Sequence, residues 1–502
     1  MLDYLASVGM RAENHRPYPR FDLGREAWAE LVTTLAVKDD WSLLGLWADT
    51  GIVHMALRDE AAMAVGVVSL SCPEGRFPSV GGVRPGAIRL ERTIQDLFGI
   101  CAESLVDPRP WLDHDSWPIR LPLSADPPDP LGQPEPFPFL PVEGPGLHQI
   151  PVGPVHAGII EPGHFRFTCN GETVVRLEQR LGYVHKGTEW LMAGRSIAEA
   201  GKLAARVSGD STVAHSWAFA LAVEAAVGTT VPPRAVWLRA LMAELERLAN
   251  HLGDIGAICN DASFAFMLAE CGLLREKVLR VADACFGHRL MMDRIVPGGV
   301  AADLLPEGRD AIAALVRETA VAFPSLVRIY DEKASLQDRT VGTGRVDGGL
   351  VHRFGAGGHV GRASGRGLDA RLGPGYAPYD ELDFSVPVFT EGDVNARVWV
   401  RIREVEASLS LVQQILDKLP DGTVHVPVFP VAGQGMALVE SFRGEIMTWV
   451  AVRDDGIVTR CHPRDPSWFQ WPLLEAAIEG NIVADFPLCN KSFNCSYSGH
   501  DL

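Results

Sequence analysis

With 502 residues, 47% of them hydrophobic and 22% charged, the chain has apolar surface for a large core and length for two or three domains. A formal net charge of -17, with no clustered run of Lys and Arg, argues against nucleic acid as a partner, because neutralising phosphates needs such a run. Nine scattered cysteines, odd in number and with no Cys-x-x-Cys pair, exclude a disulfide framework and the commonest zinc and iron–sulfur spacings.

The opening "MLDYLASVGMRAENHRPYPR" lacks the basic start, apolar centre and small-residue cleavage site of a signal peptide. No apolar stretch reaches about 18 residues, and the longest, residues 61–70, reads as a buried strand. A cytoplasmic protein that touches a membrane only through partners is therefore expected. Residues 1–123 combine a helical pattern, "REAWAELVTTLAV", with strand-like runs "IVHMAL", "AAMAVGVVSL" and "GAIRLE", and read as a small α+β domain. Proline dominates residues 107–155, and residues 124–155 are taken as an extended linker. Residues 156–502 then form a second, mainly helical domain with strands at its edges, so the fold class is α+β.

In "FRFTCNGETVVRLE", Asn170-Gly171 supplies the positive φ angles of a tight hairpin turn. "SIAEAGKLAARV" carries Ser196 and Glu199 in capping-box spacing. "PPRAVWLRALMAELERLANHLGDIG" places Leu238, Leu241, Met242, Leu245, Leu248 and Leu252 on one face, with Pro233 to start the helix and Gly253 to end it. Further helices are expected in "CGLLREKVLRVADACFGHRL", "EGRDAIAALVRETAVAFPSLVRIYDE" and "ARVWVRIREVEASLSLVQQILDKLP". The glycines from Gly342 to Gly365 have no helical pattern behind them and fail as a dinucleotide fingerprint. Glu244, Arg247 and His251 lie at helical spacing and read as solvated or interhelical ion pairs rather than catalytic groups. In "ARVSGDSTVAHSWAFALAVE", Asp210 or Ser211 is placed to cap a helix running to Gly228, with His215 one turn in.

Several blocks carry a resemblance. "ERTIQDLFGICAESLVDPRPWLDHDSWPIRLPL" resembles the small complex I subunit that precedes the quinone-site subunit. "GPVHAGIIEPGHFRF", "LGYVHKGTEWLM", "RVSGDSTVAHSWAFALAVE", "VPPRAVWLRALMAELERLANHL", "GRASGRGLDARLGPGYAPYDELDF" and "GDVNARVWVRIREVEASLSL" follow in order. They resemble the quinone-site subunits of respiratory complex I and the large subunits of membrane-bound nickel-iron hydrogenases of the formate hydrogenlyase type. The match covers nearly the whole chain after residue 70.

The hydrogenase pattern implies nickel held by four thiolates, two from Arg-x-Cys-Gly-x-Cys-x-x-x-His and two from a C-terminal Asp-Pro-Cys-x-x-Cys. Here those positions fall on Ser208, Ser211, Ser496 and Gly499, with His215 in place and Cys495 one residue early. Serine hydroxyls are hard, weak ligands, so no metal is expected on this chain. The complex I pattern implies a histidine and a tyrosine at the quinone headgroup, and those positions fall on Ile160 and Gly209. The resemblance leaves Glu161, Asp210 and His215 as acceptor-binding or proton-transferring groups, meeting the C-terminal segment that reaches Asp501. His156, Ser208, Ser211 and Ser496 line the same expected pocket. It further implies a small iron–sulfur partner and antiporter-like membrane subunits at the cytoplasmic face of the inner membrane. Quinone is the implied acceptor, and NAD or iron–sulfur clusters enter only through other subunits. A docking subunit that transmits conformational change is the competing reading, and an authentic hydrogenase would need four ligands from elsewhere.

Overall fold

The structure is a computed structural model that describes residues 1–114, 117–129, 136–156 and 160–502. Near the N-terminus, β1 (Met10–Ala12), β2 (His15–Arg16), β3 (Arg20–Leu23), α1 (Arg25–Leu35), β4 (Trp41–Asp49), β5 (Ile52–Asp59) and β6 (Ala64–Ser71) follow in order. Five of the strands form one sheet in the order β1-β3-β6-β5-β4. Strand periodicity sends Leu46, Val53, Met55, Val68 and Leu70 to the helix-covered face and Trp47, Ala56, Val65 and Val67 to the other. Both faces are apolar because both are covered, which is why residues 61–70 read as a continuous apolar run.

The run "GAIRLE", expected as a strand, belongs to helix α2 (Ala87–Phe98). Ala87, Leu90, Ile94 and Leu97 make its apolar stripe, but Arg89, Glu91, Arg92 and Asp96 are buried too and disguise the period. Glu91 accepts from Val80 N and Gly81 N, and Asp96 from Trp111 N and Leu112 N, so the buried carboxylates tie loops to the helix.

The expected linker is also corrected in part. Residues of β7 (Leu147–Val152) pair antiparallel with β8 (His164–Asn170), which turns at Asn170-Gly171 into β9 (Thr173–Arg180). Strand β7 lies at the sheet edge, where Pro151 needs no amide proton. The hairpin turn itself forms as its sequence predicts.

The C-terminal part contains α3 (Ile197–Ala204), α4 (Thr212–Val227), α5 (Pro233–Asp261), α6 (Ala265–Phe286) and α7 (Pro306–Glu332). There follow two short helices, α8 (Gly348–Phe354) and α9 (Gly358–Ala363), and then α10 (Val394–Lys418). Ser196 and Glu199 complete the expected capping box on α3. Helix α5 does not stop at Gly253: a Cβ there would lie 2.9 Å from Arg275 Cδ, so this glycine admits α6 rather than ending α5. The glycine-rich segment is helical in two short pieces, the first capped by Asp347.

The largest departure from expectation is a buried sheet of β10 (Gly433–Ser441), β11 (Gly444–Val452) and β12 (Ile457–Arg464), with β2 added in parallel to β10. It is central rather than peripheral. One face receives α4, whose backbone comes so close that a Cβ on Gly435 would lie 1.9 Å from Ala222 O. The other face stacks on the N-terminal sheet through Trp47, Trp449, Met436 and Met447. Helices α11 (Ser467–Ala477), α12 (Phe486–Phe493) and α13 (Tyr497–Asp501) complete the chain.

Candidate functional site

The segment before α4 is extended at Ser208 and turns through Gly209–Ser211. Neither Asp210 nor Ser211 caps the helix, contrary to the expected reading. Glu246 of α5 does so from a distance, accepting from Val213 N at 2.7 Å and Ala214 N at 3.2 Å. Burial pushes its carboxyl up to about 8 despite those two donors.

Freed from capping, Asp210 receives both terminal nitrogens of Arg443, one of them at 2.7 Å. Arg443 sits at the tip of the β10–β11 hairpin, and its Nη1 also donates to Ser211 Oγ at 3.3 Å. The tip is seated by Gly358, whose left-handed φ of +64 lets the backbones approach: a Cβ there would fall 1.9 Å from Arg443 O. Burial opposes the charge of Asp210, yet Arg443 and the Ser208 hydroxyl hold its carboxyl below the usual range.

Ser208 Oγ lies 2.9 Å from Asp210 Oδ1 and 2.8 Å from Ser496 Oγ. A carboxylate cannot donate, so the Ser208 proton points to Asp210 and the Ser496 proton points to Ser208. The hydroxyls thus form one directed chain, Ser496 to Ser208 to Asp210. Ser496 also accepts Gly499 N at 2.9 Å and caps α13. The two segments that the sequence places almost 290 residues apart therefore meet, with a separation of 288 between the two serines.

Asp210, Ser208 and Ser496 form part of the wall of a cleft of ≈ 780 Å³, together with Ile160, Lys491 and Tyr497. Glu161 stands exposed at its mouth and accepts Ser498 N at 3.1 Å. Ile160 and Gly209 both line the cleft, so the two headgroup positions implied by the quinone-site pattern are present and offer no side-chain donor. His215 is not in the cleft wall. It is 1% exposed and faces Asp465, Nε2 to Oδ2 at 3.1 Å, behind the serines. Ser211 is wholly buried beneath the floor. His156 and Asp501 are absent from the lining; Asp501 accepts Val184 N and contacts His500. Sequence reasoning missed Arg443, Asp465, Lys491 and Tyr497. No local spacing marks them, because each meets the site from a different element.

Burial works against the charge on Asp465, but His215 and Arg443 outweigh it and hold its carboxyl at about 2 against an ordinary 3.8. A depressed carboxyl contributes stability that is present above the ordinary value and lost as pH falls through the folded one, here about 2 kcal/mol. Asp465→Asn is expected to remove that part of the acid-unfolding limb between pH 3.8 and about 2. Equilibrium unfolding against pH reads this directly, and an unchanged limb would count against the pair.

Among the described residues, no group of three or more His, Cys, Asp or Glu is placed to hold a metal ion. Nor is any described helix long and apolar enough to cross a membrane.

Three family descriptions match successive parts of the chain. They are the 30 Kd subunit of respiratory-chain NADH dehydrogenase over residues 27–130, nickel-dependent hydrogenase over 186–253, and the 49 Kd subunit of respiratory-chain NADH dehydrogenase over 261–432. Hydrogenase-4 component G of Escherichia coli (strain K12) is 33% identical over 92% of this chain and 82% of its own. Formate hydrogenlyase subunit 5 of the same organism is 32% identical over 94% and 84%. A chain in the structure of an archaeal respiratory membrane complex, the membrane-bound sulfane sulfur reductase, superposes with a TM-score of 0.67 at 26% identity. That superposition covers 71% of this chain and 99% of the other.

Proposed function

Since the chain belongs to the family of hydrogenase-4 component G, formate hydrogenlyase subunit 5 and the 49 Kd subunit of respiratory-chain NADH dehydrogenase, we propose that it reduces a small acceptor in this cleft, without a nickel-iron centre, as the peripheral subunit of a membrane-bound redox complex. The acceptor is a quinone or a compound of similar size. Electrons arrive from an iron–sulfur partner subunit, and antiporter-like membrane subunits use the released energy to move ions. The assembly sits at the cytoplasmic face of the membrane.

The observation that carries this reading is the donor set at the cleft floor. Where the hydrogenase pattern implies four thiolates, the chain presents Ser208, Ser211, Ser496 and Gly499, and the serine hydroxyls are engaged with Asp210, Arg443 and one another. These hard oxygens do not fit nickel. Cys495 lines the same cleft, but burial pushes its thiol up, away from the thiolate a soft metal needs. The floor does fit an acceptor that gains charge on reduction: Arg443 stays cationic under it, and the serine chain can pass a proton through Asp210. A chain of this fold in a sulfane sulfur reductase supports an acceptor other than protons.

A second reading is favoured by one observation, that Asp210 and Arg443 already satisfy each other. The floor is then a structural plug, and the chain docks partners without touching an acceptor. Metal analysis of the purified complex tests the first reading. Nickel is expected far below one atom per chain, with no hydrogen-dependent dye reduction. About one nickel per chain together with that activity would overturn it.

A further inference from the structure

Behind the cleft lies a cluster of buried ion pairs. Arg247, Arg362 and Arg371 face Glu244, Asp369, Glu404 and Glu440, all of them buried, so three guanidiniums meet four carboxylates. His251 joins through Glu404 at 2.6 Å, and burial lowers its proton affinity, so it enters as a neutral donor. With all four carboxylates ionised these seven groups would carry one more negative than positive charge; Arg58 and Arg464 lie near but are both ion-paired with Glu445, and Arg366 with Glu60, rather than with these carboxylates.

The partners show where a compensating proton resides. Glu244 is served by Arg371, Tyr379 and Ser408, and Glu404 by Arg362 and His251. Asp369 is gripped at both oxygens by Arg371. Among the described residues, the side chain of Glu440 has only Arg362 Nη1 at 2.9 Å, which it shares with Asp369 at 3.4 Å, and Ala370 N at 3.1 Å. Two carboxylates converge on one nitrogen, and the weaker-held one is Glu440.

We propose that Glu440 is a proton-loading site, whose carboxyl carries the single proton that neutralises the cluster and exchanges it with bulk water through an adjoining cavity. That cavity has ≈ 20 Å³, room for about one water, and Asp369, Glu440 and Glu445 border it. Arg58, Arg366 and Arg464 face it from β5, the loop after α9, and β12. Burial and Asp369 push Glu440 up to about 7, against Arg362 and Arg247, which pull it down. Tyr376 touches only its backbone amide. The site is tied to the cleft through the hairpin that also carries Arg443: Arg247 donates to the carbonyls of Glu440 and Ser441 at 2.7 and 2.9 Å. Negative charge arriving in the cleft raises the proton affinity of Glu440, so the site loads as the acceptor is reduced. That coupling rests on the function proposed above.

Infrared difference spectra of the full chain between about pH 5 and about pH 9 test the site without any acceptor. The expected result is protonated-carboxyl absorption that fades as pH rises through the neutral range, one component of which is lost in Glu440→Gln while those of Glu91 and Glu246 remain. That component should persist in Glu246→Gln, which removes a separate component that titrates at about 8. Should Glu440→Gln fail to fold, Glu440→Asp is expected to shift the same component instead of deleting it. A difference spectrum from which Glu440→Gln removes no component, or in which Glu440→Asp shifts none, overturns the site. A correctly assigned band in a complex that reduces no acceptor overturns only the proposed function.

Discussion

Arg443→Met is expected to lower acceptor reduction by on the order of 100- to 1,000-fold while leaving the complex assembled, the loss typical of removing one fixed donor from a charge-developing site. Arg443 is a cation fixed at the cleft floor, held by Asp210, Ser211 Oγ and the carbonyl of Asn494. Asp210, left behind, is 38% exposed and can be solvated, so folding should survive. Arg443→Lys should rescue only weakly, because an ammonium cannot span both Asp210 oxygens and also reach Ser211. Turnover measured with a quinone in membranes containing the variant decides between the two readings. Unchanged rates would leave the floor as a structural plug.

Glu404→Gln is expected to cost about 3–5 kcal/mol, the range for breaking a buried ion pair from one side. Glu404 is 1% exposed and receives Arg362 at 2.7 Å, His251 at 2.6 Å and Arg247 at 3.7 Å. Removing its charge takes the carboxylate from Arg362 Nη2 and His251 Nε2 where water cannot reach them, although Arg362 keeps Asp369 and Glu440 and Arg247 keeps Glu244. Burial alone would raise this carboxyl, but Arg362 and His251 hold it well below its usual range. Its contribution is thus present above the ordinary carboxylate range and lost as pH falls through the depressed value, so the variant's deficit should shrink in acid. Two residues on along α10, Glu406 pairs with Arg403 with both side chains about half exposed, and Glu406→Gln should leave the denaturation midpoint unmoved. Equal midpoints for the two variants would refute the argument.

These two sites also mark what could and could not be read from sequence. Local chemistry was legible where partners are neighbours: the Ser196–Glu199 capping box, the Asn170-Gly171 turn and the apolar face beginning at Leu238 all form. The meeting of Ser208 with Ser496 came from family resemblance and holds. Glu244, Arg247 and His251 do pair between elements, with Arg371 and Glu404, but they are buried, not solvated. The periodicity of α5 shows which residues are polar and cannot show that α10 and the segment around Arg371 supply their counter-charges. The β10–β12 sheet was hidden for the same reason. Glu440, Arg443, Arg460 and Arg464 interrupt any alternating pattern; Arg362, Asp210 and Glu189 compensate the first three from far along the chain, Asp210 at a separation of 233, and Glu445 of the neighbouring strand compensates Arg464.

The pairing of β2 with β10 bears on how the molecule is made. His15 and Arg16 align with Gln434 and Gly435, and Arg20 bonds Gln434 across a separation of 414. At a ribosomal pace of about 5–20 residues per second, the first strand waits roughly 20–80 seconds before its neighbour exists. Through that interval Trp47, Val65 and Val67 face no second sheet, and the nascent N-terminal half presents a wet apolar plate. A chaperone that shields this plate during translation is the natural remedy, and slowing synthesis should lengthen its occupancy in proportion.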